Sequence, residues 1–282
     1  MDKKILKLLR DALDEDRARE DITSRALFPK DTRARAVIVF KQSGIVCGLD
    51  IVRQVFKLTD RQLHFKARFE DGDRVKAAAV VARLEGKARA ILAAERTAMN
   101  FLGHLSGVAT LTDKYAAEIR GFKTQIVDTR KTLPNLRLLQ KYAVACGGGA
   151  NHRFDLAQMV LIKDNHKKLL NNSLSIEALV KRARKKAAMK MLEIEVENLQ
   201  EFYAALNAHP DIIMLDNMKI TDIKAAVSHK LRFPEFHNIL IEASGNIGIK
   251  SIRPIAKAGV DMISIGSLTH SAPAIDVSLE IA

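Results

Sequence analysis

The sequence contains no tryptophan, two cysteines, few aromatic residues and no long apolar run. Aromatic residues make up 5% of the chain, which argues against binding of single-stranded nucleic acid, because such proteins stack bases on aromatic rings. Cys47 and Cys146 are too few for a disulfide framework. No stretch approaches the roughly 18 apolar residues that a membrane-spanning helix needs. These absences fit a reducing compartment, and we expect a cytoplasmic protein without a membrane partner.

The chain is long enough to bury a large hydrophobic core. It has 282 residues, of which 48% are hydrophobic, enough for one barrel-sized domain or for two unequal domains packed together. Its first ten residues place apolar side chains at helical spacing among charges, unlike a signal peptide. We expect an ordinary amphipathic helix there.

Basic residues outnumber acidic residues by 46 to 33, which gives a formal net charge of +13. Such an excess attracts nucleic acid, anionic lipid or phosphorylated metabolites, and composition alone does not choose among them. The basic run over residues 181–186 falls in a predicted outer helix, where a solvated face is a better explanation than nucleic-acid contact. We therefore expect a small anionic substrate and no nucleic-acid partner.

Apolar spacing divides the chain into two patterns. Alternating residues over 34–40 and 63–69 predict half-buried strands, and apolar residues every three or four positions over 91–119 predict one long helix that bridges two domains. Beyond this helix, short apolar runs alternate with helical segments, which is typical of parallel strands. The six runs cover residues 125–127, 159–162, 192–194, 212–215, 239–241 and 262–265. This pattern favours an α/β barrel, with an open sheet as the alternative.

Polar residues follow each of these runs, where the strands are expected to end. The groups are Asp128-Thr129-Arg130-Lys131, Lys163-Asp164-Asn165-His166, Glu195, Asp216-Asn217, Glu242-Ala243-Ser244-Gly245-Asn246 and Gly266-Ser267. In α/β barrels the carboxyl ends of the strands carry the active site. Any one group could be a loop residue or a helix cap, but six of them at successive strand ends predict a common site.

The cations of this predicted site indicate a substrate with several negative charges. They are Arg130, Lys131 and Lys163, together with His152 and Arg153 from the loop after Gly147-Gly148-Gly149. Arginine binds carboxylates and phosphates in a bidentate way, whereas lysine acts more like a point charge, so the mixture fits carboxylates together with phosphates. The glycine run could let backbone approach a ligand or could simply form a turn.

The last two predicted strands are followed by residues that could hold a phosphate group. Barrels often build such a site from backbone N–H groups at this place, although ordinary turns have a similar composition. The residues in question are Ser244, Gly245, Asn246, Ile265, Gly266 and Ser267.

Glu195 and Asp216 are carboxylates among these cations. They suit a divalent cation or ribose hydroxyls, or could stabilise positive charge on a sugar, with internal salt bridges as the alternative. The other histidines show no zinc-ligand spacing, and the chain has neither a P-loop nor a nucleophile elbow. Acyl transfer and nucleotide hydrolysis are therefore disfavoured.

Seven sequence blocks are spread over nearly the whole chain. They are Glu20-Asp21-Ile22-Thr23-Ser24, Glu95-Arg96-Thr97-Ala98-Met99-Asn100-Phe101-Leu102, Asp128-Thr129-Arg130-Lys131-Thr132, Gly147-Gly148-Gly149-Ala150-Asn151-His152-Arg153, Leu161-Ile162-Lys163-Asp164-Asn165-His166, Leu215-Asp216-Asn217 and Gly266-Ser267-Leu268-Thr269-His270-Ser271. Together these blocks resemble the quinolinate phosphoribosyltransferase family. The resemblance implies an N-terminal α/β sandwich joined to an incomplete, open α/β barrel. The implied domains are residues 1–107, which include the bridging helix, and a catalytic barrel over 108–268, with a segment over 269–282 that packs on the N-terminal domain.

The resemblance also implies an activity, namely phosphoribosyl transfer from 5-phosphoribosyl-1-pyrophosphate to quinolinate with loss of carbon dioxide. The product would be nicotinate mononucleotide for NAD biosynthesis. Mg²⁺ is the implied cofactor, and a homodimer or higher homo-oligomer is the implied assembly.

Residue roles follow from the resemblance position by position. The two substrates would be bound by Arg96, Thr129, Arg130, Lys131, His152, Arg153 and Lys163. Glu195 and Asp216 would handle the ribose hydroxyls and magnesium, while residues 244–246 and 265–267 would hold the 5-phosphate. The implied catalytic residues are Lys131, Lys163, Glu195 and Asp216. Arg96 would enter the site of the neighbouring subunit.

The chain departs from the commoner family pattern at three positions. His104 stands in place of an arginine, and Asn135 and Asp155 stand in place of glycines, which puts loop geometry near the site in question. Nicotinate phosphoribosyltransferase, which binds a single carboxylate, and a molybdenum-transport-associated relative are the nearest enzyme alternatives. A basic nucleic-acid-binding protein is the alternative from another class, and its affinity would fall steeply with salt.

Overall fold

A computed structural model describes residues 2–171 and 173–282. The chain divides into two compact units. The first unit contains the residues up to Asp113, with Leu133–Gly148 and Ser271–Ala282, and the second contains Lys114–Thr132 and Gly149–His270. Within the described residues, no helix has the length and apolar character to span a membrane.

Helices and strands alternate through most of the chain. The helices are α1 Lys3–Glu15, α2 Ile22–Leu27, α3 Leu49–Thr59, α4 Ala88–Glu118, α5 Arg137–Cys146, α6 Asp164–Leu169, α7 Ile176–Lys186, α8 Leu199–Ala208, α9 Ile220–Arg232, α10 Ile249–Lys257 and α11 Ser267–His270. The strands are β1 Arg33–Phe40, β2 Gly44–Ile45, β3 His64–Ala67, β4 Arg74–Val75, β5 Ala79–Lys87, β6 Gln125–Val127, β7 Val160–Ile162, β8 Leu192–Val196, β9 Ile212–Asp216, β10 Leu240–Ser244, β11 Met262–Ser264 and β12 Val277–Ile281.

The first unit is built on an antiparallel sheet. Its strand order is β12-β1-β5-β3, and every neighbouring pair runs antiparallel. Alternation along β1 buries Ile38 and Phe40, while apolar residues at helical spacing turn Leu9 and Leu13 of α1 inward. The Asp2 carboxylate caps α1 by accepting a hydrogen bond from the Lys4 backbone N–H at 2.7 Å.

The second unit is built on a six-stranded parallel sheet of order β6-β11-β10-β9-β8-β7. Each neighbouring pair runs parallel. From β7 to β11, strands that follow one another along the chain also lie side by side, as in a barrel. The first strand, β6, pairs with the last strand, β11, and leaves β6 and β7 as the two edges.

The strand orders confirm the expected open barrel in the second unit and the expected α/β domain, with an antiparallel sheet, in the first. The six predicted apolar runs all correspond to strands of the parallel sheet, and the predicted long helix is α4. Strands β8 and β9 are almost entirely buried, because helices cover one face of the sheet and the opposite face lines the barrel interior.

Candidate active site

Side chains from neighbouring strands meet at the same height inside the barrel. Glu195 on β8 lies beside Met214 on β9, and Met214 lies beside Glu242 on β10. One step further along the strands, Asp216 is paired with Ser244. Because alternate residues of a strand point to the same face, these polar side chains line one cavity at the carboxyl ends of the strands.

The cavity has a volume of about 590 Å³, which is the size of ordinary small-molecule sites. Its lining is formed by Asp128, Thr129, Arg130, Lys131, His152, Arg153, Leu161, Lys163, Glu195, Met214, Asp216, Asn217, Glu242, Ser244, Gly245, Asn246 and Ser264. Eleven of the predicted site residues therefore lie in one cavity of the second unit, whereas Arg96, Ile265, Gly266 and Ser267 are not part of its lining. The eleven are Thr129, Arg130, Lys131, His152, Arg153, Lys163, Glu195, Asp216, Ser244, Gly245 and Asn246.

The segment that carries His152 is held against the end of β6. The Ala150 backbone N–H donates to the Ile126 carbonyl at 2.8 Å. The buried Asp128 carboxylate accepts hydrogen bonds from the Asn151 side chain at 2.7 Å and from the His152 backbone N–H at 3.0 Å. These contacts place His152 and the following Arg153 in the cavity wall.

The imidazole of His152 lies between two fully buried carboxylates. Its Nε2 atom is 3.0 Å from Glu193 Oε2 and 3.2 Å from Glu242 Oε2. The ligand atoms of the three side chains all lie within 4.8 Å of one another. At an effective dielectric constant of about 20, two negative charges at that separation repel by about 3 kcal/mol. A positive charge on the histidine offsets this repulsion.

Burial alone would lower the pKa of His152, but the contacts with Glu193 and Glu242 outweigh it and raise the pKa of the imidazole to about 10. Burial, followed by repulsion from Glu242, raises the pKa of the Glu193 carboxyl to about 7, against the opposing effect of His152. The contacts with the two carboxylates therefore favour the protonated form of the imidazole, which lines the cavity.

Two arginines provide a second concentration of positive charge. Arg153 is buried, and its Nη1 atom donates to the Met159 carbonyl at 3.3 Å. Burial, followed by repulsion from Arg130, lowers the pKa of the Arg153 guanidinium. Two neighbouring guanidinium groups that repel one another form a favourable place for a ligand with more than one carboxylate.

Lys163 and Glu195, which also line the cavity, form an ion pair. Lys163 Nζ donates to Glu195 Oε2 at 3.0 Å, and the Asp164 backbone N–H approaches Glu195 Oε1 at 3.4 Å. Asp216 Oδ2 accepts a hydrogen bond from the Asn217 side chain at 2.8 Å. The salt bridge that the sequence left open as an alternative for Glu195 is therefore present, within the cavity lining.

The carboxylates of Glu195 and Asp216 are oxygen donors of the kind that Mg²⁺ prefers. Magnesium is usually held by one or two carboxylates together with water and substrate phosphates rather than by an all-protein cage. Within the described residues, the only group of three His, Cys, Asp or Glu side chains close enough to share an ion is His152 with Glu193 and Glu242. Glu195 and Asp216 thus fit magnesium that is shared with a phosphorylated ligand.

Two loops contact one another next to Asp216. Asn217 and Asn246 both have positive φ, and the Asn246 side-chain amide donates to Asn217 Oδ1 at 3.2 Å. Gly245 has φ of +94°, and a Cβ placed there would lie 2.3 Å from Asn217 Oδ1 and 2.8 Å from the Asn217 backbone nitrogen. Only glycine combines this backbone conformation with this close approach.

The other predicted phosphate loop lies beside Lys131. The Ile265 backbone N–H donates to the Val127 carbonyl at 3.0 Å, and a Cβ on Gly266 would lie 2.8 Å from Lys131 Cδ. Ser267 begins the short helix α11. In the same region, the Thr269 hydroxyl donates to the Lys131 carbonyl at 2.8 Å, so this loop supports the backbone of a cavity residue.

Arg96 lies on α4 in the first unit. It lines a cavity of about 330 Å³ with Glu15, Asp16, Asn100 and His104, among others. Its predicted contribution to a neighbouring subunit's site stays a prediction.

The glycine run acts in packing and in a turn at the end of α5. A Cβ on Gly147 would lie 2.3 Å from the Ala109 carbonyl oxygen, and Gly148 has φ of +84°. These features favour the turn that the sequence left open, with close backbone packing of Gly147 on α4.

The three departures from the family pattern each have a local contact or conformation. Burial lowers the pKa of the His104 imidazole, and its Nε2 atom lies 2.9 Å from Gln140 Nε2. Asn135 has φ of +62°, a region that asparagine tolerates better than most residues. Asp155 Oδ1 accepts hydrogen bonds from the backbone N–H groups of Ala157 and Gln158.

Sequence reasoning missed several residues of the site. Glu193 lies inside an apolar run and was treated as part of a strand, whereas Glu242 and Asp128 were included in the polar groups after the runs but were assigned no role. A charged residue inside a run that predicts a buried parallel strand was the available indication, because such a charge needs a partner. Glu193 and Glu195 also share one face through their spacing of two. Nothing in the sequence indicated Ser264 or Met214.

Two family models match the chain. The model described as quinolinate phosphoribosyl transferase, N-terminal domain, matches residues 21–106, and the C-terminal domain of the same description matches residues 108–280.

Individual relatives match over almost the full length. A probable nicotinate-nucleotide pyrophosphorylase (carboxylating) of Methanocaldococcus jannaschii is 41% identical, covering 98% of this chain and 96% of that protein. A nicotinate-nucleotide pyrophosphorylase (carboxylating) of Mycobacterium leprae is 38% identical, with 97% and 95% covered. The solved nicotinate-nucleotide pyrophosphorylase of Francisella tularensis superimposes with a TM-score of 0.92 at 41% identity, covering 99% of this chain and 96% of that one. The chain therefore belongs to the quinolinate phosphoribosyltransferase family.

Proposed function

We propose that the protein transfers the phosphoribosyl group of 5-phosphoribosyl-1-pyrophosphate to quinolinate and releases pyrophosphate and carbon dioxide, which yields nicotinate mononucleotide for NAD biosynthesis. The observation that carries this proposal is the cavity of the second unit, where Arg130, His152 and Arg153 lie together with the Lys163–Glu195 pair. Family membership and the names of the relatives support the same reaction.

Quinolinate carries two carboxylates on neighbouring carbons of a pyridine ring. The paired guanidinium groups of Arg130 and Arg153, with the charged His152 beside them, match two such carboxylates. Thr129 and Lys131 complete this part of the proposed binding site. The ring is thereby held with its nitrogen available to a second substrate in the same cavity.

The phosphoribosyl donor would occupy the rest of the cavity. Glu195 and Asp216 are assigned to the ribose hydroxyls, and Lys163 to the pyrophosphate. The 5-phosphate would be held by Ser244, Gly245, Asn246, Ile265, Gly266 and Ser267. Glu195 and Asp216 would also hold magnesium, which when bound offsets the negative charge of the departing pyrophosphate.

The reaction requires charge stabilisation more than proton transfer. The bond between the ribose C1 and the pyrophosphate oxygen breaks, positive charge develops on the ribose, and the quinolinate nitrogen forms the new bond to C1. Lys131 and Lys163 stabilise the leaving anion, and the carboxylates of Glu195 and Asp216 stabilise the ribose cation. These four residues are the proposed catalytic residues.

Loss of carbon dioxide follows from the new charge on the ring. The ring nitrogen of the nucleotide is cationic, so the electron pair left at the adjacent carbon when the 2-carboxylate departs is stabilised by that charge. A proton then replaces the carboxylate. No organic cofactor takes part.

The test is a product assay with purified protein, quinolinate, 5-phosphoribosyl-1-pyrophosphate and Mg²⁺. We expect nicotinate mononucleotide and carbon dioxide in equal amounts, and loss of product when EDTA is added. Lys163→Ala should be inactive, whereas Lys168→Ala on the following helix α6 should keep activity, because Lys168 is exposed and pairs with Asp164. Product from nicotinate with none from quinolinate would refute the proposal in favour of nicotinate phosphoribosyl transfer.

We further propose a cytoplasmic homodimer in which Arg96 completes the quinolinate site of the partner. The free cysteines Cys47 and Cys146 are compatible with a reducing compartment. Arg96 is a cation outside the second unit's cavity, and two-fold symmetry would create two shared sites. Mixing inactive Arg96→Ala with inactive Lys163→Ala should restore part of the activity, because some mixed dimers contain one intact site. A mixture that stays inactive after subunit exchange has been verified by mass would contradict this arrangement.

A further inference from the structure

Two of the most deeply buried charged groups of the second unit have no part in the proposed reaction. Glu193 on β8 and Glu242 on β10 are both 0% exposed. Both carboxylates contact the same atom, Nε2 of His152, at 3.0 and 3.2 Å. Buried carboxylates are costly unless they are paired, so this pairing needs an explanation.

The register of the strands places Glu242 level with Glu195, and Glu193 one step below Glu195. Glu193 lies two residues before Glu195 on the same face of β8, and is paired with Leu161 on β7. Glu242 shares the level of Met214 on β9. Glu242 is part of the cavity lining, whereas Glu193 lies outside it, and His152 contacts both acids.

His152 is fixed at both ends. Its backbone N–H donates to the carboxylate of Asp128, the residue after β6, at 3.0 Å, and its ring nitrogen lies between acids from β8 and β10. Its side chain is 9% exposed, and the residue lines the cavity. A ring held between two acids can neither rotate freely nor lose its positive charge without leaving both acids uncompensated.

We propose that Glu193 and Glu242 are positioning residues, which clamp His152 as a fixed cation in the cavity wall so that it can bind a carboxylate of the anionic substrate. The identity of the substrate rests on the proposed function, whereas the clamped, charged state of the ring does not. Arg153, the next residue along the chain, would then act beside a histidine of constant charge and orientation.

The same three groups would also suit a divalent metal ion, because two carboxylates and an imidazole are common ligands. The two chemistries make opposite demands on the histidine. A metal requires a neutral imidazole, whereas the clamp requires a protonated one. The state of the His152 ring therefore separates them.

The kinetic test uses Glu193→Gln and Glu242→Gln, which keep the shape of the side chain and remove its charge. Glu235→Gln, an exposed acid of the same unit, is the matched control. We expect the KM for quinolinate to rise at least about tenfold in each of the two variants, with the KM for the phosphoribosyl donor nearly unchanged. The control should match the wild type. Circular dichroism monitors folding, and Glu193→Asp, which keeps the charge, should regain part of the affinity.

A double-mutant cycle shows whether the acids act through the histidine. If they do, Glu193→Gln adds little to the loss already caused by His152→Gln, because the group that it positions is gone. Equal losses in both backgrounds would overturn the proposal, as would an equal rise of KM for both substrates.

The spectroscopic test does not depend on activity. Long-range ¹H–¹⁵N correlation of histidine-labelled protein at pH 8 should show an imidazolium ring for His152, assigned by its disappearance in His152→Gln. Glu193→Gln combined with Glu242→Gln should shift it to the neutral form. A neutral ring in the wild type, or one equivalent of Mn²⁺ retained by the wild type and lost in the variants, would overturn the clamp. If the wild type makes no product from quinolinate, the proposed function fails while this measurement still decides the state of the ring.

Discussion

Gly245→Ala is the substitution whose cost can be worked out most directly from the structure. Gly245 has φ of +94°, and the added Cβ would meet Asn217 Oδ1 at 2.3 Å and the Asn217 backbone nitrogen at 2.8 Å. An alanine in the left-handed region costs about 1–2 kcal/mol, and overpacking costs about 1–3 kcal/mol more. The side chain of Asn217 can turn away, but its backbone cannot move without displacing the loop that follows Asp216.

Two other glycines of the second unit separate these contributions. Gly121 has φ of +92° with nothing within 4 Å of the added Cβ, so Gly121→Ala reports the backbone conformation alone. Gly248 has negative φ and equally open surroundings but is the N-cap of α10, where alanine is less favourable than glycine, so Gly248→Ala should cost at most about 1 kcal/mol. The difference between Gly245→Ala and Gly121→Ala therefore measures the contact with Asn217.

We expect the free energy of unfolding to fall by about 2–4 kcal/mol in Gly245→Ala and by about 1 kcal/mol in Gly121→Ala. For a domain of this size, each kcal/mol lowers the Tm by about 2–4 °C. Differential scanning calorimetry measures these shifts, and the KM for the phosphoribosyl donor should rise only in Gly245→Ala. If Gly245→Ala melts together with Gly248→Ala, the close approach of the two loops is wrong.

Three further predictions concern the cavity. Arg153→Ala should weaken quinolinate binding, measured by calorimetry, by about 2–5 kcal/mol, because a buried carboxylate loses its partner; Arg153→Lys should stay folded, and unchanged affinity in Arg153→Ala would remove the residue from the site. Glu195→Ala and Asp216→Ala should each lower kcat in steady-state assays with quinolinate affinity largely kept, and a selective loss of that affinity would reassign them. Because the pKa of His152 is about 10 in the folded protein and near 6.5 when unfolded, its stabilisation is complete below about pH 6.5 and is lost as the pH rises towards 10. The Tm difference between wild type and His152→Gln should therefore shrink between pH 6.5 and 10, and a constant difference would contradict the charged ring.

The secondary structure of the second unit could be predicted from the sequence because its strands are buried on both faces and bounded by polar loops. The run over 212–215, for example, is β9 Ile212–Asp216. The order in which the strands pair could not be predicted in this way, because periodicity shows which face of a strand a residue lies on but not which strand lies next to it. The open barrel was expected from the family resemblance, but the pairing of β6 with β11 rather than β7 was not predicted.

The candidate site was predicted where residues follow strands and missed where they lie within them. Arg130, Lys163 and Asp216 could be identified by position and charge. The pairing of His152 with Glu193 and Glu242 depends on distances across three strands, which no local pattern encodes. The contact of Gly245 with Asn217 likewise depends on how closely two loops approach.

The pairing of β12 with β1 has a consequence for how the protein forms during synthesis. The ion pair between Lys41, next to β1, and Glu280 in β12 joins residues 239 positions apart. In the parallel sheet, the Thr124 hydroxyl donates to the Val260 carbonyl across 136 positions. Contacts of such long range slow folding, because the chain loses conformational entropy before the stabilising contacts form. Both sheets therefore remain incomplete on the ribosome until residues beyond 260 have emerged, and their unpaired edges are exposed to aggregation or to chaperones until then.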